Sequence, residues 1–229
     1  MRGDWMDAPL RYDRSYVYRL YEPKDAPERT IVALHGSATD ETAILPLARM
    51  LDQKARIIAP RGRIIQNGER RWYRKLSPIS FDQPSVRFEA EAFAGFLDGL
   101  FRDGVAEPER TLFLGYSNGA NLAAATMLLH PAKIRQAVLM RAMSVLESAP
   151  KADLTAARVL ILSGAADQIY GSLGAMLGDL LKRNGAVVVS DTLGSGHECG
   201  EPDITYARRW LDSVEGGVPA TADAGGTKG

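Results

Sequence analysis

Short apolar runs alternate along this chain with longer stretches of helical spacing. The runs Thr30–Leu34, Arg56–Ala59, Thr111–Leu114, Ala137–Met140, Val159–Leu162 and Ala186–Leu193 are rich in β-branched residues and leucine, as strands covered on both faces are. Tyr16–Leu20 is expected as an edge strand. Helices are predicted over Glu41–Leu51, with Thr39 or Asp40 as N-cap, and over Ser85–Phe101, with Phe88, Ala92, Phe96 and Leu100 on one face. Further helices are predicted over Asn118–His130, over Leu173–Asn184 (stopped by Gly185) and over Asp203–Val214. The alternation predicts an α/β fold, a mostly parallel twisted sheet with helices on both faces. Arg61–Pro84 lacks a periodic pattern but carries Trp72 and Tyr73, and a long aromatic loop of this kind is expected to serve the site.

Composition narrows the picture. A chain of 229 residues suits one α/β domain, taken here as residues 13–215. Residues 216–229, rich in Gly, Ala and Thr, are expected to form a disordered tail. Lys+Arg and Asp+Glu balance at 28 each, so no net field favours nucleic acid or an anionic membrane as a partner. The single cysteine, Cys199, excludes an intramolecular disulfide. With no apolar run near the start resembling a signal segment, and none long enough to span a bilayer, a cytoplasmic location is expected.

The chemistry is concentrated in a few segments. Gly115-Tyr116-Ser117-Asn118-Gly119 is a G-x-S-x-G motif lying between an apolar strand and an alanine-rich helix, the context that a nucleophile elbow requires. Glycine at 115 and 119 lets strand and helix approach closely, while the sharp turn exposes the Ser117 hydroxyl at a helix N-terminus.

A serine needs a base, and the chain has three histidines. His35 precedes the serine and His130 ends the elbow's own helix, so both read as structural. His197 lies on the glycine-rich loop Gly-Ser-Gly-His-Glu-Cys-Gly after the last strand. Asp167 follows Val159–Leu162, where an orienting carboxylate belongs in the order serine, acid, histidine. Backbone N–H groups of Ser37, after His35-Gly36, and of Asn118 are the expected oxyanion donors. Three scattered histidines offer no metal-ligand spacing, so neither a metal nor another cofactor is expected. A non-catalytic binding module on the same scaffold is the competing reading.

The segments LHGSATDE, GYSNGANLA, LILSGAADQIY and GSGHECGEPD together resemble the phospholipase/carboxylesterase family of α/β-hydrolases. The resemblance spans most of the chain from Thr30 to Asp203. It implies metal-free ester or thioester hydrolysis, and often a homodimer; hydrolysis of small carboxylic or aryl esters is expected, with thioesters and lactones as alternatives that use the same triad. APRG, NGERRWYR and LMRAMSVLE look most like a bacterial subgroup of hydrolases linked to hydroquinone or quinone stress. The segment from Arg141 to Arg158 is too short for a cap domain, so an open cleft is expected. Arg141, leaving the strand beside the elbow, is expected to enter that cleft with Trp72 and Tyr73 as an aromatic wall, favouring an ester with an acidic or strongly polar group. The alternative for Arg141 is an ion pair at the strand end, for instance with Glu147.

Overall fold

The computed structural model describes residues 8–215; the expected tail, 216–229, lies outside them. Among the described residues there are ten strands: β1 (Leu10–Arg11), β2 (Tyr18–Tyr21), β3 (Thr30–Leu34), β4 (Arg56–Pro60), β5 (Ile64–Gln66), β6 (Glu69–Arg71), β7 (Thr111–Tyr116), β8 (Gln136–Met140), β9 (Arg158–Gly164) and β10 (Val187–Leu193). The helices are α1 (Leu45–Leu51), α2 (Gln83–Arg102), α3 (Asn118–Leu129), α4 (Leu173–Arg183) and α5 (Glu201–Glu215). Eight strands form one sheet in the order β1-β2-β4-β3-β7-β8-β9-β10. All its pairings from β4 to β10 are parallel, and β1 and β2 add an antiparallel edge. The sheet thus begins slightly before residue 13.

Period-two alternation divides the core between the two faces of the sheet. Val32, Phe113, Leu139 and Ile161 pack against α2, α3 and α4. Their neighbours Ile31, Leu112, Val138 and Leu160 pack against α1 and α5. Both faces are covered, which is why these strands read as continuous apolar runs and not as alternating ones.

Three expectations are corrected. The first helix begins at Leu45, not Glu41, because Pro46 lacks an N–H and is accommodated only in a first turn. Asp40 instead closes a turn, accepting from Thr42 N–H and Oγ at 2.9 and 2.6 Å. In α2 the inward stripe runs through Val86, Ala90, Phe93, Leu97 and Leu100, whereas Phe88 is 66% exposed. A ladder of residues four apart drifts around the helix, so Phe88 at one end does not share a face with Leu100. Finally, Arg61–Pro84 is not irregular throughout. It contains the β5–β6 hairpin, turned at Asn67-Gly68 with φ of 54° and 78°, the left-handed values that a tight two-residue hairpin turn requires.

Candidate active site

The C-terminal ends of the parallel strands converge at β7. This strand passes into α3 through Ser117, whose backbone adopts φ 50°, ψ −114°. Such a conformation is strained for a residue with a side chain and is held by its surroundings: Ser117 N–H donates to Met140 O at 2.8 Å. The flanking glycines are required sterically. A Cβ on Gly119 would lie 2.4 Å from Leu34 O, and one on Gly115 would lie 2.6 Å from Ala120 Cα.

Two loops bring the other groups to this serine. His197 Nε2 lies 2.9 Å from Ser117 Oγ, and His197 Nδ1 lies 2.6 Å from Asp167 Oδ2. With Nδ1–H donating to the carboxylate, Nε2 is left as the acceptor for the serine hydroxyl. Asp167 is held on its other oxygen by the N–H groups of Tyr170 and Ile169, at 3.0 and 3.3 Å. Burial pushes its pKa up, but the His197 bond and these backbone donors outweigh that and keep it below the usual carboxylate value. The acid and base loops are tied together by Ala165 N–H to Leu193 O and Ala166 N–H to Ser195 O, at 2.7 and 3.0 Å. Tyr116 Oη donates to His197 O at 3.1 Å, and the Tyr170 ring lies against the imidazole.

Among the described residues, the N–H groups of Ser37 and Asn118 have no protein acceptor. Asn118 opens α3, where first-turn N–H groups are free and the helix dipole is positive. The segment from Arg70 to Trp72 braces both sides of this potential oxyanion pocket. Arg70 O accepts from Ala38 N–H at 2.9 Å, and Arg71 Nη1 donates to Ser37 Oγ at 3.1 Å. Trp72 N–H donates to Asn118 Oδ1, and Trp72 Nε1–H donates to His35 O, each at 2.8 Å. No periodic pattern in the sequence announces this brace.

That bracing corrects the expected aromatic wall. Trp72 and Tyr73 are fully buried, so neither offers a face to a substrate. The cleft beside Ser117 is instead bounded by Arg71, Lys75, Pro78 and Phe81 from the same segment, with Met143 also in its lining, and is open to solvent.

Arg141 is corrected too. It touches the cleft, yet its side chain is shielded from water and its guanidinium is fully engaged. It pairs with Asp203 at 2.7 Å and donates to Ser195 Oγ, Gly196 O and Glu198 O at 2.8, 2.9 and 2.7 Å. The ion pair is with Asp203 and not with Glu147. A left-handed backbone, φ 54°, turns Arg141 beneath the His197 loop.

The remaining candidates for chemistry are occupied structurally. His35 is buried, with Nδ1–H donating to Gly36 O at 2.7 Å and Nε2 accepting from Gly62 N–H at 3.0 Å. Burial lowers its pKa and favours the neutral ring that this pairing needs. Burial, followed by the nearby Asp203 carboxylate, pushes the Cys199 thiol up to about 12. Such a thiol carries almost no thiolate at neutral pH. Among the described residues no three His, Cys, Asp or Glu side chains converge as a metal site, and no helix is long and apolar enough to cross a membrane.

No protein-family model matches the chain. A carboxylesterase from Mesorhizobium loti is 42% identical, covering 89% of this chain and 98% of its own, with a TM-score of 0.86. The Bacillus cereus carboxylesterase is 28% identical over 88% of this chain and 96% of its own, with a TM-score of 0.83. MhqD of Bacillus subtilis (strain 168), a protein named as a hydrolase, is 26% identical over 192 residues, 83% of this chain and 96% of its own. The chain belongs to the phospholipase/carboxylesterase family of α/β-hydrolases.

Proposed function

We propose that this chain is a serine esterase that cleaves small carboxylic esters through an acyl-enzyme on Ser117. The observation that carries the reading is the unbroken hydrogen-bond line from Ser117 Oγ through His197 to Asp167, at 2.9 and 2.6 Å. In the first half-reaction Ser117 Oγ attacks the ester carbonyl while Nε2 of His197 takes its proton. The carbonyl oxygen becomes an oxyanion facing the Ser37 and Asn118 N–H groups. The ester C–O bond then breaks, and the imidazolium returns the proton to the departing alkoxide. In the second half-reaction a water gives its proton to His197 and attacks the acyl-enzyme, releasing the acid and restoring Ser117.

Asp167 serves by holding the tautomer in which Nε2 is the acceptor and by stabilising the imidazolium. The strained elbow supports the reading, since a serine that only capped a helix would not need φ 50°. The same reading takes the protein to be cytoplasmic, with Cys199 reduced and uninvolved.

A panel of p-nitrophenyl esters of increasing acyl length, run beside aryl esters, thioesters and lactones, tests the assignment. Hydrolysis of short esters, falling by about 10⁴-fold or more in Ser117→Ala, is the expected result, because triad members act as a unit. A Ser117→Ala variant that keeps a tenth of the wild-type rate rules the mechanism out.

A further inference from the structure

The cleft beside Ser117 is chemically one-sided. Its charged lining consists of Arg71, Lys75 and Arg141, with no aspartate or glutamate among the walls. Two of these cations are already matched, Arg141 by Asp203 at 2.7 Å and Arg71 by Glu69 at 2.5 Å. Among the described residues Lys75 has no carboxylate partner. Its backbone is nevertheless fixed: Lys75 N–H donates to Gln66 Oε1 at 2.9 Å, and Gln66 Nε2 donates to Lys75 O at 2.8 Å. An unpaired ammonium is therefore anchored at the rim on an ordered piece of chain.

The neutral polar groups point the same way. Asn118 and Asn121, both buried, line the cleft. Asn118 Oδ1 accepts from Trp72 N–H and Asn121 Oδ1 from Met143 N–H, each at 2.8 Å. With the carbonyl oxygens committed, what these side chains have left to offer is their NH₂ groups, which only donate. Tyr73 Oη, fully buried behind the cleft, lies where it can accept from these amides, which leaves each NH₂ group a second hydrogen to offer. The unpaired Lys75 ammonium together with these amide N–H groups is the complement of a ligand that accepts.

We infer that Lys75 and the amides of Asn118 and Asn121 form an anion-recognising subsite, and that the preferred substrates are small esters carrying a carboxylate near the scissile bond. The inference rests on the esterase reading for the word "substrate". The subsite itself is a property of the cleft. A carboxylate is an acceptor-only group with about four lone-pair sites, so it matches the lining without leaving donors unsatisfied. A long neutral acyl chain would instead place hydrocarbon against these donors.

Two matched substrate pairs test this. Monoethyl fumarate against diethyl fumarate places the carboxylate on the acyl side. 4-Acetoxybenzoate against methyl 4-acetoxybenzoate places it on the alcohol side. The expected result is a preference in kcat/KM for the charged member of at least one pair, falling by about tenfold in Lys75→Met, the scale of one charge-assisted hydrogen bond. An unchanged charged-to-neutral ratio in both pairs overturns the proposal.

A binding titration on Ser117→Ala separates this outcome from a failure of the esterase reading, because it needs no turnover. Monoethyl fumarate should bind more tightly than diethyl fumarate, and the difference should vanish when Lys75→Met is added. Equal binding of the two esters to the Ser117→Ala protein overturns the subsite, whatever the protein hydrolyses.

Discussion

Arg141 Nη1 lies 2.7 Å from Asp203 Oδ1, and both side chains are shielded from water beneath the loop that carries His197. The other donors of the same guanidinium hold Ser195, Gly196 and Glu198, so one buried cation fixes the backbone on either side of the base. Arg141→Met should leave the Asp203 charge buried and unpaired, which costs about 3–5 kcal/mol for a pair of this kind. It should also lower kcat on charged and neutral esters alike. Thermal melts and steady-state kinetics on one preparation check this. A variant of wild-type stability whose only defect is a raised KM for anionic esters would return Arg141 to the substrate.

Trp72 makes a second prediction. Its indole N–H is matched to His35 O in a buried position, so Trp72→Phe strands that carbonyl and should cost about 1–3 kcal/mol. Because the ring does not face the cleft, the ratio of rates on short and long esters should stay constant. Melting temperature and acyl-chain profile are the measurements. A changed profile without loss of stability would contradict the bracing role.

The third prediction concerns acid. The Glu41 carboxylate is fully buried between Arg61, at 2.5 and 2.6 Å, and Arg19, at 3.1 Å. Burial raises its pKa, but the bonds from Arg61 outweigh this and hold it below the usual glutamate value. A depressed folded pKa contributes stability that is fully present above the unfolded value, about 4.3, and is lost as pH falls through the folded one. Glu41→Gln should therefore be less stable than wild type at pH 7, and the gap should narrow below about pH 4. Urea melts at pH 7 and pH 3.5 read this directly, and a gap that widens in acid would show the opposite sign.

The sequence and the structure part company in instructive places. Ser117, Asp167 and His197 were legible because each sits at a strand end with a local signature, and chain order alone suffices to rank the candidates. The central strands were legible because burial on both faces leaves a continuous apolar run. Arg141 was not: its position at a strand end shows where it emerges, but its partner Asp203 is 62 residues away and its φ of 54° turns it from the expected path. Trp72 and Tyr73 were misplaced for a related reason. They lie in a stretch read as irregular, where the Asn67-Gly68 hairpin goes unseen, and whether the aromatic residues after it face the cleft or the core depends on their packing with α2 and α3.

Stoichiometric labelling by a fluorophosphonate reads whether Ser117 is an activated nucleophile. One phosphonyl group per chain is expected, located on Ser117 by peptide mass mapping, with the labelling rate falling sharply in His197→Ala. Esterase activity that survives full exposure to the probe, or a label that maps to any other residue, would contradict it.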